Sequence, residues 1–259
     1  MSAAEADTKP EPGFEGIITA DRLEPALEAV STIVDECKIR LSEDGLTIRA
    51  VDPANVGMCR VSVGADAFES FRAQAGVIGV NLERLEDVVG MADGGELVHL
   101  ALDPATRKLE IAVGKLSYTL SLIDPDSIRQ EPDLPDLELP ARVVCEGRVI
   151  SQAVSAADLC SDHISLGCDE DAAVFYAEAT GDTDDVRIDL GRDDVIELEP
   201  GAAHSLFSLD YLDDMETAID SGAEVALNIG EEFPVRMAFE RADSHVSVVF
   251  MLAPRISSE

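Results

Sequence analysis

Val80-Asn81-Leu82-Glu83-Arg84-Leu85-Glu86-Asp87 and, 127 residues later, Phe207-Ser208-Leu209-Asp210-Tyr211-Leu212-Asp213-Asp214 are two versions of one pattern. Leu82, Leu85, Val88 and Ala92 fall on one face of a helix that starts near Asn81. The same gapless shift carries outward in both directions. It places Asp93 on Asp220, Gly95 on Gly222, and Val98, Leu100 and Leu102 on Val225, Leu227 and Ile229. Upstream it places Leu23, Ala26 and Leu27 on Ile150, Ala153 and Val154, Glu43-Asp44 on Glu170-Asp171, and Ile48 on Phe175. One offset that serves distant segments argues for duplicated domains. A looser echo relates the quarters, since Arg22-Leu23-Glu24 and Arg84-Leu85-Glu86 both open helices.

Around this repeat the chain divides into four parts. Residues 1–13 hold two prolines and no apolar periodicity, and read as a flexible tail. Residues 14–123 and 141–256 are the two domains. Asp21-Arg22-Leu23-Glu24 resembles a capping box. After it, Leu23, Ala26, Leu27, Val30, Ile33, Val34 and Cys37 mark a helical face, with Pro25 expected in the first turn. Leu46, Ile48 and Ala50 alternate with Thr47 and Arg49 as a half-buried strand. Further strands are expected at 96–102 and 108–122, the latter with a bulge or bend at Gly114 where the alternation changes register. Residues 124–140 carry four of the twelve prolines and read as an extended connector. Each helix has one apolar stripe and so must lie on a sheet. The expected class is α+β, with two duplicated domains of two helix-plus-strands units each and the helices on one face of antiparallel sheets.

Composition narrows the function. The 259 residues include 53 Asp and Glu against 19 Lys and Arg, giving a formal charge of −34. Taken at face value, that excludes a basic nucleic-acid-binding surface. The basic residues are 15 Arg and only 4 Lys, and the acids are spread along the whole chain, which is the pattern of a halophile's surface. Net charge then reports the solvent more than the partners. No apolar run approaches a membrane span, and the acidic N-terminus is no secretory signal. The five cysteines form no disulfide framework and point to a reducing, cytoplasmic compartment. Cys160, His163 and Cys168 fit no standard zinc spacing, and the acidic clusters follow from the abundance of acids, so no metal or cofactor is expected. No phosphate-binding loop, nucleophile elbow or H-E-x-x-H motif is present. Two minor alternatives are an acidic halophilic enzyme and a divalent-cation buffer.

A further set of words carries a resemblance. They are Ile48-Arg49-Ala50-Val51-Asp52-Pro53-Ala54-Asn55-Val56, Gly79-Val80-Asn81-Leu82, Leu120-Ser121-Leu122-Ile123-Asp124, Asp133-Leu134-Pro135-Asp136-Leu137, Tyr211-Leu212-Asp213-Asp214-Met215 and Leu252-Ala253-Pro254-Arg255. In order and spacing the chain resembles the archaeal sliding clamps, homologues of proliferating cell nuclear antigen, over residues 14–256. The resemblance implies a homotrimeric ring around duplex DNA, with helices lining the channel and no catalysis. It implies tethering of DNA polymerase, clamp loader, ligase and nucleases through short motifs with a Gln and apolar anchors, and a nucleoid-associated location.

The resemblance also assigns residues. The motif pocket takes Val51, Pro53, Asn55, Val56 and Met58, then Leu134, Pro135 and Leu137 of the connector, and Pro234, Met251, Ala253 and Pro254. The subunit contact pairs the strand around 109–118 with the one around 174–181 of the next chain, with Ile111, Val113 and Tyr118 facing Val174, Tyr176 and Ala177. The channel departs from the family. Where family clamps carry Lys and Arg, this chain has Glu24, Pro25, Ser31, Asp87, Gly90, Gln152, Ser155 and Asp210, leaving Arg22, Arg84 and Arg148 as the helix-borne basic candidates.

Overall fold

The computed structural model describes residues 13–130 and 137–255. The N-terminal half runs β1 (Phe14–Thr19), α1 (Ala20–Ser31), β2 (Glu36–Ser42), β3 (Gly45–Val51), β4 (Gly57–Gly64), β5 (Ser70–Ala73), β6 (Gly76–Asn81), α2 (Leu82–Val89), β7 (Leu97–Asp103), β8 (Lys108–Val113) and β9 (Leu116–Ser121). The C-terminal half repeats that order. It runs β10 (Ala141–Glu146), α3 (Gly147–Asp158), β11 (His163–Asp169), β12 (Val174–Thr180), β13 (Asp185–Leu190), β14 (Glu197–Glu199), β15 (Ala203–Ser208), α4 (Leu209–Glu216), β16 (Glu224–Ile229), β17 (Val235–Arg241) and β18 (Val246–Leu252). The 127-residue offset holds from β1 to β2, since Ala20 and Gly147 both open helices. It slips by two at β3, so that Leu46 and not Ile48 occupies the place of Phe175, because the β11–β12 turn is longer.

Three antiparallel sheets result. One has five strands in the order β5-β1-β7-β8-β9, and one has four in the order β13-β12-β11-β15. The third has nine, β14-β10-β16-β17-β18-β4-β3-β2-β6, and crosses from one half to the other where β18 pairs with β4. Alternation along the strands sends one face inward. Ile39, Ile48, Val61, Val248 and Met237 are buried, as are Leu23, Ala26, Leu27 and Val30 of α1, which packs against β4 and β18. α3 and α4 cover the C-terminal half in the same manner.

Four local expectations need correction. β1 runs straight into α1, whose N-cap is Thr19 with no side-chain bond, so Asp21 and Glu24 form no capping box. Pro25 therefore lies in the second turn and removes the bond that the Asp21 carbonyl would accept. The helix ends at Ser31, and Cys37 belongs to β2. Residues 108–122 are not one bent strand but the β8–β9 hairpin, with Gly114 at φ +54° in its turn. That φ is left-handed, a conformation Gly adopts without steric cost. The hairpin makes β9 the edge of its sheet.

A side-chain bond reinforces the β18–β4 joint. Asp52, buried just beyond β3, accepts from the backbone N–H of Ala54 (2.8 Å), Val56 (2.6 Å) and Gly57 (2.8 Å). Its fourth donor is the Tyr211 hydroxyl of α4, 2.7 Å away in the other half. Burial works to raise the Asp52 pKa, but the Tyr211 hydroxyl and the three N–H groups outweigh it and hold the group below the usual carboxylate range. Burial and the Asp52 carboxylate push Tyr211 up to about 12. A depressed carboxylate stabilises the fold above its unfolded pKa of about 3.9, and that contribution disappears as pH falls through the folded value. Tyr211→Phe is expected to cost about 1.5–3 kcal/mol at neutral pH in denaturant unfolding. The difference from the native chain should shrink as Asp52 protonates, and a difference independent of pH would contradict this role.

Candidate functional site

The loop between β3 and β4 is shaped from within by Asp52 and held from outside by the connector. Arg129 donates to the Pro53 carbonyl at 2.7 Å and to Asn55 Oδ1 at 2.8 Å. Asn55 takes φ +59°, which Asn tolerates better than most residues. From the other side, the Ala253 N–H donates to the Val56 carbonyl at 2.9 Å, and the Arg255 N–H donates to Leu206 at 2.7 Å. Val51, Met58 and Met251 are consecutive partners across β3, β4 and β18. Pro234 precedes Val235, the partner of Leu252. Register thus sets Val51, Met58 and Met251 in one row, with the Pro53, Asn55 and Val56 loop and the Ala253–Pro254 segment joined beside it and Pro234 one strand further.

Their exposure differs. Val51 and Met251 are each 4% exposed, so they belong to the fold as much as to any surface. Val56, Met58, Pro234, Ala253 and Pro254 are half-buried, and Pro53 and Asn55 are exposed. Leu137 is half-buried, while Leu134 and Pro135 lie outside the described residues.

Sequence reasoning missed Phe233, a large apolar side chain left 49% exposed. Ser205 pins its backbone, accepting from the Phe233 N–H and donating to the Phe233 carbonyl, both at 3.1 Å. A Cβ on Gly230 would stand 3.2 Å from both Phe233 and Leu139, so these two side chains lie against Gly230, next to Pro234 in the chain. An aromatic directly after Glu231-Glu232, in a strand-to-strand turn, was the available signal.

The strand edges correct the predicted subunit contact. Ile111 and Val113 lie on β8, which is paired on both sides, and are 1% and 5% exposed. Val174, Tyr176 and Ala177 lie on β12, also paired on both sides. Only Tyr118, on β9, stands on an edge strand. Each expected strand proved to be the inner member of a hairpin, which leaves β9 and β13 as the outer ones. On the solvent face, the Tyr176 hydroxyl meets His204 Nδ1 at 3.0 Å and its ring carries the Arg187 guanidinium of β13 at 4.0 Å.

The helix face is acidic, as expected. Burial raises the pKa of Glu24, with help from Glu28 and Asp21, and burial raises that of Asp214, with help from Asp213 and Asp210. Glu86 is raised by burial and by Glu28 and Asp87, against a hydrogen bond from Ser31. Raised carboxylates oppose folding at neutral pH; acid relieves them, and salt screens only the part that comes from neighbouring carboxylates. Of the three basic candidates, Arg22 turns back to donate to the Ala67 carbonyl at 2.9 Å. Arg148 pairs with Glu146, and Arg84 is exposed on α2. Arg241, missed in sequence because it ends a strand, joins the halves by donating to Glu28 at 2.9 Å, with Asp220 at 3.5 Å.

Among the described residues no three His, Cys, Asp or Glu side chains gather into a metal-holding group, and no helix is long and apolar enough to cross a membrane. None of the five cysteines is in a disulfide, and burial pushes Cys59 and Cys145 up to about 12, which keeps both as unreactive thiols.

Residues 17–120 match the family model for the N-terminal domain of proliferating cell nuclear antigen. The DNA polymerase sliding clamp of Natronomonas pharaonis is 62% identical over 246 residues, covering 95% of this chain and all of that protein. That of Haloarcula marismortui is 61% identical with the same coverage. Among solved structures, A. fulgidus PCNA with the C-terminal region of FEN-1 bound is 36% identical, with a TM-score of 0.89 over 95% of this chain and 100% of that one. The chain belongs to the DNA polymerase sliding clamps, the family of proliferating cell nuclear antigen.

Proposed function

We propose that three copies of this chain close into a ring around duplex DNA and tether DNA polymerase and other replication proteins, without catalysis. The two domains are 14–123 and 141–256, and the connector is 124–140. The observation that carries the ring is the pair of unfinished sheets. Set β9 of one copy beside β13 of the next, and the order becomes β5-β1-β7-β8-β9-β13-β12-β11-β15. Element for element, this repeats the nine-stranded sheet inside one chain. The interface is therefore a copy of the β18–β4 joint.

Burial supports this. Val248 and Phe250 of β18 are fully buried, whereas their counterparts on β9 are Leu116, 36% exposed, and Tyr118, half-buried. Cys59, Val61 and Val63 of β4 are at most 2% exposed, whereas Val186, Ile188 and Leu190 of β13 are half-buried. The intrachain register pairs Val248 with Val61 and Phe250 with Cys59. Transferred to the interface, it pairs Leu116 with the partner's Ile188 and Tyr118 with the partner's Val186. Lys115 then faces the partner's Asp189. The interface is heterologous, and such contacts close rings when the rotation permits.

The surface around Val51, Pro53, Asn55, Val56, Met58, Pro234, Met251, Ala253 and Pro254, with Leu134, Pro135 and Leu137, is the docking groove for partner motifs. A relative holds the C-terminal region of FEN-1. An exposed apolar patch on so acidic a chain is what such a motif requires. The channel grips DNA by topology, with Arg22, Arg84 and Arg148 as minor contacts and hydrated cations between carboxylates and phosphates. At about 1 M salt the Debye length is about 3 Å, so lost lysines cost little there.

Two outcomes test this. In concentrated KCl the native mass should be about 83 kDa, three 27.6 kDa chains. Ile188→Asp should leave single chains with an unchanged fold by circular dichroism, and a trimeric Ile188→Asp variant would place the interface elsewhere. Short linear duplexes should show no saturable binding below about 100 µM in about 1 M KCl. Tight binding under those conditions would overturn capture by encirclement.

A further inference from the structure

The β18–β4 joint inside the chain has a polar tie beside its strands. α4 lies beside β18, and Tyr211 of α4 reaches across to the β3–β4 loop. Its hydroxyl donates to Asp52 at 2.7 Å, and its ring covers Gly57, where an added Cβ would stand 3.2 Å from it. α2 lies beside β9 as α4 lies beside β18. The 127-residue offset puts Arg84 of α2 in the place of Tyr211. It also puts Asp184 in the place of Gly57, since Val186 and Ile188 of β13 stand where Cys59 and Val61 of β4 do. Carried across the β9–β13 edge, the same geometry sets Arg84 of one copy against Asp184 of the next.

The side chains at both places await a partner. Tyr211 is half-buried by its contact with the other half, whereas Arg84 is exposed. Arg107, Arg142, Arg148, Arg187 and Arg241 all hold carboxylates of their own chain. The Arg84 guanidinium holds none among the described residues, where only its backbone N–H is bonded, to Asn81. The β12–β13 turn is closed by the Gly181 N–H, which donates to the Asp184 carbonyl at 2.9 Å. It carries Asp182 and Asp184, with Asp185 opening β13, all exposed. None of these three carboxylates has a partner among the described residues either. Val186 packs against the core on the helix side, and Asp184 shares its parity, so Asp184 turns toward the helices and Asp185 away.

We propose that Arg84 clasps the acidic turn Asp182–Asp184 of the next copy, as the charged counterpart of the Tyr211–Asp52 bond. This rests on the ring reading above. With Lys115 facing the partner's Asp189, Arg84 is the second cation at this edge. The two ties differ in kind. Inside the chain a neutral hydroxyl meets a buried carboxylate, a bond that salt hardly screens. Between chains a cation meets exposed carboxylates, and salt does screen it. The clasp therefore adds most as salt falls, where repulsion between such acidic chains is greatest. Arg84 so engaged faces the next chain and not the duplex.

The test is one charge reversal in two backgrounds, the native turn and Asp182→Lys/Asp184→Lys. Dissociation of the full-chain trimer on dilution is followed by sedimentation equilibrium in about 0.5 M and about 3 M KCl, with circular dichroism checking each fold. In the native background Arg84→Glu should raise the midpoint concentration about fivefold at the lower salt and less at the higher. In the reversed-turn background the same change should lower the midpoint, because the introduced carboxylate then meets ammonium groups. A midpoint raised or unmoved in the reversed-turn background overturns the clasp, and a rise in both backgrounds is what net charge alone would give. A midpoint unmoved in the native background overturns it as well. Failure of the native chain to form a trimer at any concentration defeats the ring reading itself.

Discussion

A strand edge presents backbone N–H and C=O groups that need partners, and the architecture of this chain follows from how that need is met. Inside the chain, β18 meets β4 and two half-sheets become one of nine strands. The joint is buried through Phe250, Val248, Val61 and Cys59, and α1 lies across it. Asp52 with Tyr211, and Arg241 with Glu28, tie the halves on either side. Duplication leaves the equivalent edges, β9 and β13, without a further strand partner among the described residues. Assembly then repeats the intrachain solution between chains, because the same elements recur in the same order.

Charge is arranged around this scaffold by face. The helix side bears mutually repelling carboxylates on α1, α2 and α4, several with raised pKa. Such a face costs stability in dilute buffer and less in concentrated salt, where repulsion is screened over a few ångströms. On the other face of the nine-stranded sheet, Val51, Met58 and Met251 form an apolar row across β3, β4 and β18.

Much of this was legible in the residues. The 127-residue repeat, the helices at Leu23 and Leu82 and the alternation of Leu46, Ile48 and Ala50 are periodic signals, and local periodicity survives folding. The groove residues Val56, Met58, Ala253 and Pro254 were legible because they sit inside distinctive words. The edge strands were not. A two-residue turn at Gly114-Lys115 looks like a bulge when apolar alternation continues on both sides, so β8 and β9 merged into one strand. Interface residues were then taken from Ile111 and Tyr176, whose strands are inner members of their sheets. Phe233 escaped because a lone aromatic in a turn has no period.

The claim that the subunit interface copies the β18–β4 joint is tested most directly by a disulfide placed by register. Directly opposed residues on antiparallel strands stand about 4.5–5.5 Å apart at Cα, within disulfide reach. Tyr118→Cys combined with Val186→Cys, oxidised in concentrated KCl, should yield a covalent three-chain species on a denaturing gel. Tyr118→Cys combined with Arg187→Cys should yield none, because one residue turns the side chain to the opposite face. Cross-linking by the second pair and not the first would contradict the account.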